Sequence, residues 1–254
     1  MKAGTLAPEA NGVATRPEGA SVAFLLVHGF CAAPDELATL GKYLEDEGVA
    51  SFAVQINGHG TSPDDLKEIS WRDWYSSVQQ GFEEVESWKM QHLFVAGLSM
   101  GGALSTLLIS QVQGVDGLVL IAPALRISGI LPRLVPLLKY FMKDRKIDVE
   151  AAQRVYDIKR TKYDREPVSA YHELFKLLKV ARKNLSKISI PTLILHGTAD
   201  KTIDPDNGKL ALERISSSDK TLHLIQGAEH VISCHPTREI AYPLIKEFVE
   251  RITN

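Results

Sequence analysis

The sequence predicts an α/β fold: a mostly parallel sheet of about six to seven strands, helices on both faces, and a helical cap inserted late in the chain. Three observations carry that expectation. From Val22 onward, short continuous apolar runs alternate with segments of helical period. Most of the apolar runs end in glycine. One long block, residues 125–190, interrupts the alternation without a convincing strand.

The elements follow in order. VAFLLVHGF (22–30) is apolar throughout, as a strand buried on both faces must be. Pro34 to Glu47 places Leu37, Leu40 and Leu44 at helical spacing, and SFAVQI (51–56) is a second strand. Trp71 to Trp88 carries Trp74, Val78, Phe82 and Val85 along one helical face. HLFVAG (92–97), GLVLIAP (117–123), PTLILHG (191–197) and TLHLIQG (221–227) complete the strands. Helices over about 100–112, 205–215 and 236–252 complete the alternation, and repeated β-α units of this kind give a parallel sheet. Residues 1–20 read as a loosely held flexible arm, 21–124 and 191–254 as the core, and 125–190 as the cap.

Composition removes several classes of function. With 254 residues, 44% of them hydrophobic, and a net charge of -2, the chain has no global excess of positive charge to draw it to nucleic acid. Its partner is expected to be a small molecule. Two cysteines, Cys31 and Cys234, are too few for a disulfide framework or a thiolate metal site, which suits a cytoplasmic setting. No run reaches signal-peptide length or the ~18 apolar residues of a membrane span. No metal-ligand spacing and no phosphate-cradling loop occurs, so neither a metal nor a cofactor is expected. The cap is the exception in charge. It holds 16 Lys and Arg against 7 Asp and Glu, a balance of +9, leaving 13 against 24, or -11, elsewhere. Two readings stand: solvated outer faces of amphipathic helices, or an electropositive lid in transient contact with a lipid interface.

VAGLSMGG (95–102) carries the chemistry. A serine in G-x-S-x-G between strand and helix sits on a tight elbow that lifts its hydroxyl clear at the carboxyl edge of the sheet. Gly97 and Gly101 flank Ser99 because side chains there would hold helix and strand apart. A serine hydroxyl is nearly inert at its ordinary pKa, so it needs a base, and the base needs an orienting acid. PTLILHGTAD delivers Asp200 and TLHLIQGAEHVI delivers His230, each just after a strand and in the order this arrangement requires. Asp204 and Asp206 remain substitutes for the acid, although helix capping also accounts for them. Negative charge on an attacked carbonyl would need backbone donors: Met100 N–H after the serine, and Phe30 N–H in the loop His28-Gly29-Phe30-Cys31. His28 and His59 read as structural, and Cys31 as a small apolar filler. Leu131, Leu134, Val135, Leu138, Phe141 and Met142 would give the cap an apolar underside that buries an acyl chain at ~0.8 kcal/mol per methylene.

HGF (28–30), NGHG (57–60), GLSMGG (97–102), HGTAD (196–200) and GAEHVI (227–232) together resemble the α/β-hydrolases, most closely small bacterial carboxylesterases and monoacylglycerol lipases. The resemblance spans Val22 to the C-terminus. It implies an α/β-hydrolase fold and a Ser99, Asp200, His230 triad with Phe30 and Met100 as oxyanion donors. It also implies cofactor-free hydrolysis of short to medium acyl esters or monoglycerides; the alternatives are a thioesterase or other acyl hydrolase using the same three residues, or a non-catalytic ligand-binding protein on this scaffold. Asp164, in KYDREP (162–167), is the expected polar contact to a glycerol head, and Gly29 and Val231 complete the expected substrate contacts. The sequence departs from the family at the front, where little room remains for the opening antiparallel hairpin.

Overall fold

A computed structural model describes residues 12–129 and 131–254. In chain order the strands are β1 (Gly12–Thr15), β2 (Val22–Val27), β3 (Ala50–Val54), β4 (His92–Leu98), β5 (Gly117–Ile121), β6 (Asp144–Lys146), β7 (Arg165–Pro167), β8 (Thr192–Gly197) and β9 (Lys220–Ile225). The helices are α1 (Ala38–Asp46), α2 (Trp71–Ser87), α3 (Met100–Ile109), α4 (Leu131–Leu138), α5 (Val149–Gln153), α6 (Val168–Asn184), α7 (Asp206–Arg214) and α8 (Arg238–Thr253).

Seven of these strands make one sheet in the order β1-β3-β2-β4-β5-β8-β9. Every pairing is parallel except that of β1 with β3. This is the mostly parallel, helix-covered sheet expected from the alternating pattern. Because successive residues of a strand point to opposite faces, β2 feeds two cores at once. Ala23, Leu25 and Val27 pack with Trp74, Val78, Met100 and Leu104 of α2 and α3. Val22, Phe24 and Leu26 pack with Leu40, Leu44, Ile245 and Phe248 of α1 and α8.

Two elements differ from expectation. The arm expected over residues 1–20 carries strand β1 at Gly12–Thr15, paired antiparallel with β3; residues 1–11 lie outside the described residues. GVAT is short and half exposed, so its strand character comes from the free edge of β3 and not from its own pattern. The insertion between β5 and β8 is also not wholly helical, since β6 and β7 pair as a small antiparallel ladder. Three-residue strands leave no periodic signature to read.

The cap is seated by α6, whose Leu174, Leu177, Leu178 and Ala181 join the core cluster of α2 and α3. Each leucine buried there contributes about 1.5–3 kcal/mol. That stripe fixes the cap over the carboxyl ends of β2, β4, β8 and β9.

Candidate active site

The site is built from three sheet-edge turns. The first is the elbow between β4 and α3. Ser99 takes φ +57°, a conformation that L-residues rarely adopt. Its backbone is fully engaged there: the N–H donates to Ile121 O (2.9 Å), and the carbonyl accepts from Gly102 (3.0 Å) and Ala124 (3.0 Å). The glycines are required by approach distance. A Cβ on Gly97 would stand 2.4 Å from Gly101 O, and one on Gly101 would stand 2.0 Å from Val27 O. With the chain so folded, Met100 opens α3, and its N–H, in the first turn, has no intrahelical acceptor.

The second and third turns follow β8 and β9. His230 Nε2 lies 2.9 Å from Ser99 Oγ, and His230 Nδ1 lies 2.7 Å from Asp200 Oδ2. Asp200 is itself fastened, its Oδ1 accepting the Thr202 N–H (2.8 Å) and the Ile203 N–H (2.9 Å). Burial acts to raise its carboxyl pKa, but hydrogen bonds from His196 and His230 outweigh it and hold the group well below the usual carboxylate range. His196, fully buried, is a contributor that sequence reasoning passed over. Its Nε2 lies 3.0 Å from Ile203 O and 3.3 Å from Asp200 Oδ2. The signal was available in HGTAD, where it stands four residues before the acid. The substitute acids are occupied at the start of α7: Asp204 accepts the Asp206 N–H (2.9 Å), and Asp206 pairs with Lys209 (2.9 Å).

Opposite the elbow runs the loop after β2. A Cβ on Gly29 would lie 3.5 Å from Ser99 Cβ, so this loop sits directly on the serine. Ile56 N–H donates to His28 Nε2 (3.3 Å), which assigns the ring proton to Nδ1, and Nδ1–H donates to Gly29 O (2.9 Å). Gly29 O and Phe30 N–H belong to one trans peptide and point opposite ways. Tying down the carbonyl therefore turns the Phe30 N–H away from His28. Burial lowers the His28 pKa and keeps the ring neutral for this bond. His59, likewise buried, is pushed down to about 3 by burial, with the neighbouring His28 adding to the effect. Its ring packs against those of Phe30 and Trp74. Cys31 is fully buried and burial raises its thiol pKa, in keeping with a filler.

A cavity of about 590 Å³ opens over Ser99, with Gly29, Phe30, Met100, His230 and Val231 in its wall. Its roof differs from the one expected. Leu134 (41% exposed) and Phe141 (79% exposed) face outward, and half-buried Leu138 is not in the wall either. Helix α4 spends its buried face, at Val135, on α6, which leaves Leu134, and Phe141 just beyond the helix, on the outer side of the cap. The roof comes instead from Ala151, Val155 and Tyr156 around α5 and from Tyr171, Leu174 and Phe175 of α6. Asp164 is exposed and meets the hairpin only through its carbonyl, which accepts the Ile147 N–H (2.8 Å). Two residues on, Glu166 is 3% exposed in the cavity wall, paired with Lys162 (2.5 Å) and accepting the Tyr171 hydroxyl. Glu229 also reaches the wall.

Comparison with known proteins places this geometry in context. A carboxylesterase of Bacillus subtilis (strain 168) is 25% identical over 235 residues, covering 92% of this chain and 95% of its own. A thermostable monoacylglycerol lipase of Bacillus sp. (strain H-257) is 28% identical over 223 residues, covering 84% of each. Among solved structures, one of a metagenome-derived lipolytic enzyme superposes with a TM-score of 0.86 at 24% identity, over 97% of this chain and all 100% of that one. That likeness establishes the shared α/β-hydrolase fold. A profile described as serine aminopeptidase, S33, matches residues 19–236, a span that runs from the first parallel strand past the histidine turn. With most of its length and all three site-forming turns inside that match, the chain belongs to the serine aminopeptidase, S33, family.

Proposed function

We propose that the chain is a serine ester hydrolase cleaving short- to medium-chain carboxylic esters or monoacylglycerols through an acyl-enzyme. One observation carries the reading: the hydrogen-bonded series Ser99 Oγ, His230, Asp200, at 2.9 and 2.7 Å, opening into a partly apolar cavity of about 590 Å³. His230 takes the Ser99 proton as Oγ attacks the ester carbonyl, then delivers it to the departing alcohol; water repeats the sequence in reverse. Asp200 holds the imidazole in the right tautomer and stabilises its cation. The Phe30 and Met100 N–H groups take the oxyanion. Gly29 and Val231 flank the reacting carbon.

The ester class is supported by the names of the two bacterial relatives, a carboxylesterase and a monoacylglycerol lipase. The family description names an aminopeptidase, which would need a carboxylate for the substrate ammonium. Of the carboxylates in the cavity wall, the two buried ones, Glu36 and Glu166, are already paired with Arg160 and Lys162, and Asp148 and Glu229 are the others a substrate ammonium could meet.

Among the described residues no helix is long and apolar enough to cross a membrane. The cap nevertheless exposes Leu137 (61%), Tyr140 (76%) and Phe141 (79%) beside Lys139 and Lys143, and the proposed partner for that face is a lipid interface that supplies the substrate. The proposed setting is the cytoplasm, where the free thiols of Cys31 and Cys234 stay reduced.

The test is a chain-length series of p-nitrophenyl esters and monoglycerides run beside aminoacyl p-nitroanilides. Ester turnover is expected to dominate, and Ser99→Ala to lower kcat about a millionfold with the melting temperature unchanged. Residual activity near native, or preference for the anilides, overturns the reading.

A further inference from the structure

The loop that presents Phe30 is held by a carboxylate that the mechanism does not use. Glu36, in the 3-10 turn Pro34–Leu37, is 3% exposed, and its Oε2 accepts the Gly29 N–H at 2.7 Å. Its other oxygen, Oε1, lies 3.2 Å from Arg160 Nη1, in a pair whose side chains are 3% and 7% exposed. Its carbonyl accepts the Ser233 hydroxyl (2.5 Å), three residues beyond His230. One residue thus touches the oxyanion loop, the cap and the histidine turn.

The loop needs such a hold. Cys31, next after Phe30, has φ +54°, and a strained non-glycine conformation persists only where its surroundings impose it. Without the carboxylate, the Gly29 N–H would be left buried and unpaired, at a cost of about 1–3 kcal/mol, and the loop would shift to satisfy it. Such a shift would carry the Phe30 N–H off its target.

We propose that Glu36 is a positioning residue that sets the oxyanion donor of Phe30, and that Arg160 is the counter-ion through which the cap holds Glu36 in place. The inference rests on the ester-hydrolase reading and adds a residue to it. A neighbouring tether separates this role from simple cap anchoring. Asp35 Oδ2 accepts the Thr161 N–H (2.7 Å) and hydroxyl (2.8 Å), so it binds the same cap segment without touching the loop.

The experiment compares two double variants, both free of buried unpaired charge and therefore expected to fold. Glu36→Gln with Arg160→Met keeps an acceptor for Gly29 N–H; Glu36→Leu with Arg160→Met does not. Steady-state kcat and KM on one p-nitrophenyl ester, corrected by active-site titration, are expected to give kcat within fivefold of native for the first. The second should lose tenfold or more in kcat, approaching the hundredfold cost of a missing oxyanion donor, with KM little changed. Asp35→Ala, which loosens the cap alone, should change kcat less than twofold. Equal kcat in the two double variants, an effect confined to KM, or an equal loss in Asp35→Ala would overturn the proposal. Ser99→Ala in the same series keeps the two readings apart: if it is inactive while the double variants match each other, the hydrolase reading stands and the Glu36 role falls.

Discussion

Two strained turns face each other across the reacting oxygen, and they are held by different means. The elbow at Ser99 (φ +57°) is clamped by backbone alone: its N–H and carbonyl are bonded into β5, α3 and the turn after β5, and glycines let the chains close to van der Waals contact. The loop at Cys31 (φ +54°) is clamped by side chains, His28 on one peptide and Glu36 on the other. The elbow is therefore a property of the sheet and would exist in any chain with this strand-turn-helix. The loop borrows its rigidity from the second core strand region and from the cap. Damage at the elbow should cost the fold, whereas damage around the loop should cost rate or acid stability.

Gly101→Ala is the severest way to break the elbow. The new Cβ would meet Val27 O at 2.0 Å and His28 O at 2.7 Å, backbone atoms of the central sheet that cannot swing aside. The expected loss exceeds ~4 kcal/mol, which removes most of the stability of an ordinary domain. Thermal melts would show no native transition, and a melt within a few degrees of native would mean that α3 can slide and that the elbow is less fixed than its contacts imply.

Next in size is Asp200→Asn, expected to lower kcat about ten-thousandfold while leaving the fold intact, because the amide favours the wrong imidazole tautomer. Asp204→Asn, whose carboxylate only caps α7, should stay within twofold. Interchanged results would move the acid to Asp204 and make the 2.7 Å contact to His230 incidental.

Much of this half of the molecule was legible in the sequence. Continuous apolar runs ending in glycine mark strands buried on both faces, and the order serine, aspartate, histidine after successive strands marks which turns converge. The cap was not legible to the same degree. A helical stripe such as Leu134, Leu138 and Phe141 says that one face is apolar, but not which neighbour it meets; α6 took Val135, and Leu134 and Phe141 were left outward. The same limit separates Asp164 from Glu166, two acids of one short segment, where only the hairpin with β6 decides which one is buried. Glu36 left no periodic trace because it acts through one hydrogen bond to a loop seven residues earlier.

Acid sensitivity sharpens the contrast, since the titratable rings sit on the loop side. Below its ordinary value of 6.5, the unfolded His59 takes up a proton that the buried ring, with a pKa of about 3, refuses. The unfolded state is then the better proton binder, so stability falls as pH drops from about 6.5 toward 3, by up to ~1.4 kcal/mol per pH unit. His28, lowered in the same direction by burial, adds to this slope below 6.5. Asp200, lowered below the ordinary 3.8, adds its own loss only beneath that value. His59→Phe should flatten the acid limb of a denaturant-midpoint series between pH 6.5 and 4, and an unchanged slope would show that other groups set it.

The smallest effect expected concerns the outer cap. If Leu137, Tyr140 and Phe141 enter a lipid interface while Lys139 and Lys143 meet its anionic headgroups, attraction and insertion are separable. The charge component is screened, because the Debye length shrinks from about 10 Å at 0.1 M salt to about 3 Å at 1 M. The apolar component is not. Turnover of a monoglyceride in anionic vesicles should fall a fewfold across that range, with turnover of a dissolved p-nitrophenyl ester unchanged. Phe141→Ser should weaken vesicle turnover at every salt concentration and leave the slope alone, whereas Lys143→Gln should reduce the slope. Equal salt response for the two substrates would make these lysines ordinary solvated charges, and would return the cap to a single role, as the roof that Arg160 fastens to Glu36.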